Sequence, residues 1–342
     1  MNRALVELIR YRLIEPLRWP ETIFWIFVFP ALLALALGIA FREQRPDPTS
    51  IAIIADQGAD KLASMLGADP LLRVTVMSRD EADRALRMGK VVLQIVPGSP
   101  IRYRVDPTRP ESHLARLLTD NTLQRGHGRT EPVPTVLEEV RSRGGRYIDF
   151  LIPGLLGLNL MSGGLWGLGW AITEARTRKL LRRFLATPMR RRDFLLAHML
   201  ARVAFVPLEA VTLLLFGWLM FDVACAGSLI ALTFLILLGA LSFAGLGTLL
   251  ASRTRTLETM SGLINLCTMP MMLLSGVFFS PSRFPEMVQP LIRVLPLTAL
   301  NDALRAVMNE GAPLLSLWPQ VLTLVVWGAV SFFLGVRLFR WT

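Results

Sequence analysis

Six long apolar runs dominate this sequence of 342 residues. They lie near positions 22–41, 148–173, 200–221, 226–251, 257–279 and 315–337. About 20 apolar residues are needed to cross the hydrocarbon core of a bilayer as a helix. The runs therefore exclude an ordinary soluble domain and predict an α-helical polytopic membrane protein with six transmembrane helices.

The first run, assigned to a transmembrane helix over 21–41, could also be read as a cleaved signal peptide. Its apolar core is longer than the ~7–15 residues usual for such peptides, which favours a retained span. Pro30 lies inside it. A proline is tolerated in a membrane helix because neighbouring helices can satisfy the carbonyl it leaves free.

The placement of arginine and lysine predicts the orientation of the spans. Sixteen cations lie in the short flanks and loops of one face, and three on the other. Short cytoplasmic loops carry the excess of basic residues, so we expect both termini in the cytoplasm. The net charge of +11 is interpreted as this signal. We expect no nucleic-acid partner, because no basic stripe interleaved with stacking aromatics occurs outside the membrane flanks.

Residues 1–20 are predicted to form a cytoplasmic amphipathic helix on the membrane surface. Leu5, Leu8, Ile9 and Leu13 recur at helical spacing, with charged residues on the other face. Such a helix lies in the lipid headgroup region.

The polar stretch at 42–146 predicts an extracytoplasmic α/β domain followed by a linker. Between residues 50 and 125, segments typical of strands and segments with helical periodicity follow one another in the order βαβαββα. This order predicts helices packed on one mixed sheet. Residues 126–146 contain GHG, PVP and RGG, which are typical of a flexible return linker. The remainder, 147–342, holds helices two to six.

Motifs for catalysis and for cofactor binding are missing from the sequence. It has no G-x-x-x-x-G-K-[ST] loop, no H-E-x-x-H and no C-x-x-C, and it holds three histidines. Cys225 and Cys267 fall in or beside apolar runs. We therefore predict no catalytic residue, cofactor or metal in this chain, which is not expected to be an enzyme.

The loop between the second and third runs, 174–198, is the most informative segment. It is predicted as a basic amphipathic helix, a break at Thr187 and Pro188, and a second helix that starts near Arg191. A bent helix of this kind suits docking in a groove of a soluble partner. Binding to anionic lipid headgroups is an equally open interpretation.

Three blocks resemble the permease subunits of ABC-2 type (type-2) ABC exporters. FLATP at 184–188 is similar to the family's Leu-Leu-x-Thr-Pro signature in this loop. LSGVFF at 274–279 resembles the end of the family's fifth span, and LPLT at 295–298 followed by NDALR at 301–305 resembles its Pro-Leu-Thr and Asp-x-x-Arg pattern. The large insertion after the first span is similar to a subgroup that includes drug and lipid efflux permeases.

The resemblance implies a half-transporter in a bacterial cytoplasmic (inner) membrane. It would pair with a second permease, identical or related, and with two copies of an ATP-binding subunit that holds ATP and magnesium. A periplasmic adaptor is a further partner left open. The residues implied in coupling to the ATPase are Leu181, Phe184, Leu185, Thr187, Pro188, Met189 and Arg190.

Polar and methionine side chains within the spans are candidates for a translocation path. They are Asn159, Ser162, Glu209, Asn265, Met269 and Met272. A carboxylate at the depth of Glu209 is costly, and is therefore a functional candidate. The alternative for the polar residues is that they tie helices together, and for the methionines that they pack in the core. The glycine series of the second span suggests close helix approach at a dimer interface.

An outer gate is predicted after the fifth span, where 280–312 would form a re-entrant segment. Its residues are Ser275, Gly276, Phe278, Phe279, Pro296, Asp302 and Arg305. Asp302 and Arg305 are spaced for an ion pair on one helix face.

The predicted function is export of an amphipathic drug or lipid-like substrate. Export of envelope polysaccharide or lipid precursors is a variant of the same class. A membrane-anchored receptor or assembly scaffold that acts through its extracytoplasmic domain is the alternative from a different class.

Overall fold

The computed structural model divides the chain into two compact units. One comprises Met1–Arg42 and Arg141–Thr342, here called the membrane unit, and the other is Glu43–Val140, the inserted domain. The residues that the structure describes are 7, 10, 11, 14, 18–41, 48–107, 109–129, 144–180 and 191–339.

Six helices of the described residues are long and apolar enough to cross a membrane. They are span one, Pro20–Ala40; span two, Tyr147–Thr177; span three, Arg191–Phe221; span four, Leu229–Ala251; span five, Leu257–Leu274; and span six, Trp318–Leu338. The predicted fold class is confirmed, since an α/β region lies between the first two spans.

Local capping explains where two of the spans begin and end. Ser228 caps span four, which starts three residues later than the apolar run suggests, and Thr256 caps span five by accepting a hydrogen bond of 3.2 Å from the Thr259 amide. Span five stops at Leu274 rather than near 279, because Gly276 has a φ of +69° and turns the chain.

Two spans contain wide π-helical turns, at Phe24–Val28 in span one and Gly163–Gly169 in span two. The turn in span one ends two residues before the proline at position 30. A proline has no amide hydrogen, and its ring crowds the carbonyl four residues earlier. The wider turn makes room for the ring, so the helix continues to Ala40.

The inserted domain has the predicted order of elements. These are β1, Thr49–Ile54; α1, Ala59–Leu66; β2, Leu72–Met77; α2, Arg79–Arg87; β3, Leu93–Val96; β4, Arg102–Val105; and α3, Pro110–Gly126. The sheet is mixed, as predicted, with the order β2-β1-β3-β4. Strand β1 pairs in parallel with β2 and β3, and β4 runs antiparallel to β3.

Both faces of this sheet are covered, which extends the prediction of helices packed on it. Ile51 and Ile53 of β1 lie in a cluster with the buried side chains of α1 and α3. Ala52 and Ile54 point to the other face and join Ala82 of α2. Strand β1 is therefore buried on both sides, which explains why its sequence is a continuous apolar run rather than an alternating one.

Polar contacts fix two of the helices of the inserted domain. Ser78 and Glu81 form a capping box at the start of α2, and the hydrogen bonds from Ser78 hold the pKa of Glu81 below its usual range. The Tyr103 hydroxyl of β4 donates to Asp120 of α3 at 3.3 Å. Burial, with the nearby Asp120 carboxylate, raises the pKa of Tyr103 to about 12.

Two short helices follow span five in the membrane unit: α4, Gln289–Val294, and α5, Pro296–Glu310. Helix α5 packs inside the unit, with Leu300, Ala303, Leu304 and Val307 fully buried. These helices occupy the segment for which we predicted re-entry, and their depth in a bilayer stays a prediction.

The N-terminal helix is described at four residues, Glu7, Arg10, Tyr11 and Ile14, which are helical and exposed. The residues of its predicted apolar face, at positions 5, 8, 9 and 13, lie outside the described residues. The same holds for most of the predicted linker, at 130–143.

We expect Ile53→Ala to lower the free energy of unfolding of the inserted domain by about 2–5 kcal/mol, because it opens a cavity beside the fully buried centre of β1. Val76→Ala, on the exposed side of the edge strand β2, should change it by about 0.5 kcal/mol or less. Urea unfolding of residues 43–140, followed by circular dichroism, measures both. Equal losses would contradict the assigned core.

Candidate functional site

Span two forms the centre of the membrane unit. In its most apolar 18-residue stretch 72% of the residues are buried, more than in any other described span, whereas the share is 17% in spans one and six. Glycines allow this packing: a Cβ on Gly164 would collide with the backbone of Phe243, and one on Gly169 would lie within 3.3 Å of the backbone of Gly247. Span two therefore lies directly against span four.

The close helix approach that these glycines allow occurs within this chain, and their use at a dimer interface stays a prediction. A Cβ on Gly154, Gly157 or Gly163 would also meet atoms of this same chain. Gly167 is the exception, with open space beside it. The series serves packing within one chain, because each glycine removes the side chain that would keep a neighbouring segment away.

Arg305 of α5 holds the start of span two to the turn after span five. Its Nε and Nη2 atoms donate to the carbonyl of Phe150 at 3.2 and 3.1 Å, and Nη2 also donates to the carbonyl of Gly276. The guanidinium lies 3.6 Å from the centre of the Phe150 ring, a cation–π contact. Its predicted partner Asp302 is 4.0 Å away and half-exposed. The backbone carbonyls are thus the closer partners.

Three further side chains, absent from our predicted site, strengthen this contact. The Asn301 amide donates to the carbonyl of Ser275 at 2.9 Å, and the Tyr147 hydroxyl to that of Phe278 at 3.2 Å. Asn309 donates to the carbonyl of Asp149 at 3.0 Å. The Ser275 and Phe278 carbonyls lie in the turn after span five, and the Asp149 carbonyl stands four residues before Pro153, which has no amide hydrogen to donate.

The structure brings together most residues of the predicted outer gate. Ser275, Gly276 and Phe278 lie in the turn that Asn301, Tyr147 and Arg305 hold. Pro296 is buried as the first residue of α5. Phe279 differs, because half of its side chain is exposed and its ring lies 6.0 Å from the Arg283 guanidinium. A gating role for this group stays a prediction.

A second arginine, Arg176, holds the other end of span two. Its guanidinium donates to the carbonyls of Ala251 at 2.7 Å, Thr254 at 2.5 Å and Ser252 at 3.2 Å. These carbonyls end span four, where the helix dipole favours a positive charge. In the sequence, Arg176 is one of the sixteen cations that predict the orientation of the spans. In the structure it also joins span two to the turn between spans four and five.

Arg146, just before span two, makes a comparable contact with the end of span three. It donates to the carbonyls of Phe221 at 2.9 Å and Asp222 at 3.3 Å, and it forms an ion pair of 2.7 Å with Asp149. Span two is therefore tied by arginine to the ends of two other spans.

Asn159, a candidate for the translocation path, ties helices together. Its amide donates to the carbonyl of Ile26 at 3.1 Å. That carbonyl stands four residues before Pro30, so it has lost the amide that would bond to it in an α-helix. A neighbouring helix thus satisfies a carbonyl that the proline frees, as the sequence predicted.

Glu209 is paired with Arg202 of the same helix, a partner that we did not predict. Nη2 of Arg202 donates to Oε2 of Glu209 at 2.8 Å, and Nη1 donates to Oε1. Their side chains are 9% and 2% exposed. The two residues are seven positions apart, which is two helical turns and places them on one face. That spacing was the signal available in the sequence.

The remaining candidates for the translocation path are less buried than Glu209. Ser162 is half-buried in span two, while Asn265 and Met269 are exposed on span five and Met272 is half-buried there. The residues implied in ATPase coupling, at 181–190, lie outside the described residues. Within the described ranges, no cluster of three His, Cys, Asp or Glu side chains could hold a metal ion.

We expect Arg305→Lys to destabilise the membrane unit. A lysine keeps the charge but lacks the planar fork that reaches two carbonyls, so the loss should be about 2 kcal/mol, or roughly 4–8 °C in the midpoint of thermal unfolding. Arg293→Lys is the control, because Arg293 is exposed on α4. Thermal unfolding in detergent measures both, and a midpoint unchanged by Arg305→Lys would refute the assignment.

We expect the effect of Asn159→Ala to depend on the residue at position 30. In the wild type it should cost about 1 kcal/mol, because the Ile26 carbonyl loses its donor. In a Pro30→Ala background the loss should be smaller, since an alanine at that position can donate its own amide. A double-mutant cycle by thermal unfolding tests this. If the effects of Asn159→Ala and Pro30→Ala on stability are additive, the two residues do not act on the same carbonyl. Asn265→Ala, at an exposed position of span five, is the control.

Comparison with known proteins supports the sequence resemblance. Residues 20–337 match the model of the ABC-2 family transporter protein. The chain is also similar to the inner membrane transport permease YhhJ of Escherichia coli (strain K12) and that of Shigella flexneri. Each is 29% identical over 97 residues, which is 28% of this chain and 26% of the length of those relatives.

Proposed function

Because the chain belongs to the ABC-2 transporter family, we propose that it is the permease subunit of an ATP-driven exporter. The match to residues 20–337, which covers the six spans except the last residue of span six, is the observation that carries this proposal. ATP and magnesium would bind to a separate ATPase chain, in two copies, because the sequence has no phosphate-binding loop of its own. A second permease, identical or related, would complete the pathway.

The contacts of span two suggest how movement would pass from the ATPase into the membrane. Arg176 lies a few residues before the segment 181–190, which we propose as the docking site for the ATPase. Its guanidinium links span two to the turn between spans four and five. A force on the loop would therefore act on three spans together rather than on one helix.

The contacts around Arg305 support a gating role at the start of span two, the end opposite to Arg176. Span two, the turn after span five and α5 meet there through backbone carbonyls. Movement of span two would displace the turn that holds Ser275 and Gly276. This supports our proposal that the group acts as an outer gate. The proposal includes both termini in the cytoplasm, as the placement of the basic residues predicts, and the protein in the inner membrane.

For the substrate, we propose an amphipathic drug or lipid-like molecule. Span five presents exposed apolar side chains, among them Leu266, Met269 and Leu273. Methionine adapts its shape to irregular apolar ligands. These side chains would form one wall of a path between two permeases.

We expect an ATPase with a phosphate-binding loop to co-purify with the tagged chain from membranes of its host in mild detergent. Thr187→Asp and Pro188→Gly should reduce the bound ATPase and its hydrolysis, because both alter the proposed docking loop. Leu117→Ser, on an exposed position of α3 in the inserted domain, is the control and should leave both unchanged.

The opposite result would favour a receptor or assembly scaffold. In that case no ATPase would co-purify with the wild type, and a protein bound to the inserted domain would be lost from Leu117→Ser instead.

A further inference from the structure

The buried ion pair of span three contacts the wide turn of span two. A Cβ on Gly163, the first residue of the turn Gly163–Gly169, would overlap the Arg202 guanidinium at Nη2, Cζ and Nη1. The guanidinium thus occupies the space where any other residue would place its side chain. Glu209 holds it there by two hydrogen bonds.

The opposite side of the same turn is fixed by span four. Gly164 and Gly169 lie against the backbone of Phe243 and Gly247. The turn therefore lies between a backbone surface on one side and a charged group on the other. Only the charged side can change without moving a whole helix.

The wide turn of span one is attached to this region as well. Asn159, four residues before Gly163, bonds to the carbonyl of Ile26 within that turn. The rings of Phe27 and Phe205 are 5.9 Å apart, which joins span one to span three between Arg202 and Glu209. Spans one, two and three thus meet where two of them leave α-helical geometry.

A charge pair is an expensive way to fill such a space. Removing both charges from water costs several kcal/mol per ion, and their attraction repays this only when the geometry is good. An apolar pair of similar volume would pack at lower cost. Arg202 also keeps a buried Nε without an acceptor among the described residues, so the pair is not fully satisfied in this conformation.

We propose that the Arg202–Glu209 pair is a strut that holds the wide turn of span two in its π-helical form, and that span two changes shape at this turn during transport. Isolated π turns inside α-helices are frequent at functional sites. The second part rests on the proposed function, whereas the first part does not.

Amide hydrogen exchange of the full-length protein in lipid nanodiscs tests the strut. Gly163→Ala should displace the guanidinium and make exchange in 163–169 roughly threefold faster or more, a change of the size that one polar contact between membrane helices contributes. Gly167→Ala is the matched control, because it makes the same substitution in the same turn with open space beside it. Equal exchange in the two variants overturns the strut.

Two more variants separate a strut from simple adhesion between helices. Glu209→Gln removes the charge with little change in volume, and it should also make exchange in 163–169 faster. This variant tests the strut even if Gly163→Ala does not fold. The exchanged pair Arg202→Glu/Glu209→Arg restores the attraction but moves the guanidinium away from Gly163. We expect it to recover thermal stability and not the slow exchange; recovery of both would overturn the strut.

The change of shape is tested in the complex with the co-purified ATPase. Exchange in 163–169 should differ between the nucleotide-free complex and the complex trapped with ADP and vanadate. Gly163→Ala should lower ATP hydrolysis roughly fivefold and remove that difference, while Gly167→Ala should not. If exchange in 163–169 of the wild type is the same with and without trapped nucleotide, the proposed change of shape is overturned. If no ATPase binds, the proposed function fails, and the strut is still decided in the permease alone.

Discussion

Backbone carbonyls that lack a helical donor determine how this membrane unit is assembled. The C-terminal end of a helix, a turn and a proline inside a helix each leave such carbonyls, and in the hydrocarbon core of a bilayer there is no water to bond to them. Arg146, Arg176 and Arg305 each donate to carbonyls of another segment. Asn159, Asn301 and Asn309 do the same with single bonds. Most of the polar contacts between spans are of this kind.

Span two is central because these donors meet on it. It carries or receives the contacts at both of its ends, and glycines bring span four against its middle. Spans one and five are attached at fewer points, and these two and span six keep large apolar faces exposed. Lipid can cover such faces and, in the proposed exporter, so can a second permease. In the proposed exporter, this arrangement would let the outer helices shift while span two transmits force.

The elements of the fold were predictable from the sequence, because apolar run length and periodicity report on single segments. The six spans and the βαβαββα order are confirmed within a few residues. The burial of β1 on both faces also follows from its unbroken run of apolar side chains. The end of span five was misjudged, because the apolar run continues past Gly276 and only the backbone turn stops the helix.

The polar contacts were harder to predict, because they depend on which segments meet. Arg176 near the end of a span has the same sequence signature whether it orients the protein or caps another helix. Asn301 looked like part of a motif, and its partner lies 26 residues earlier. The Arg202–Glu209 pair differs, because a cation two turns from a glutamate on one helix is visible in the sequence, although we did not predict it.

The topology of the inserted sheet has a consequence for how the protein is made. Strand β1 follows span one directly and lies at the centre of the sheet, yet both of its neighbours come later in the chain, the second at Leu93–Val96. During synthesis this strand leaves the ribosome as an unpaired apolar segment. It must wait for about 40 further residues, or 2–8 seconds at ordinary translation rates. Until β3 arrives, the most apolar strand of the domain is the part that most needs protection from aggregation.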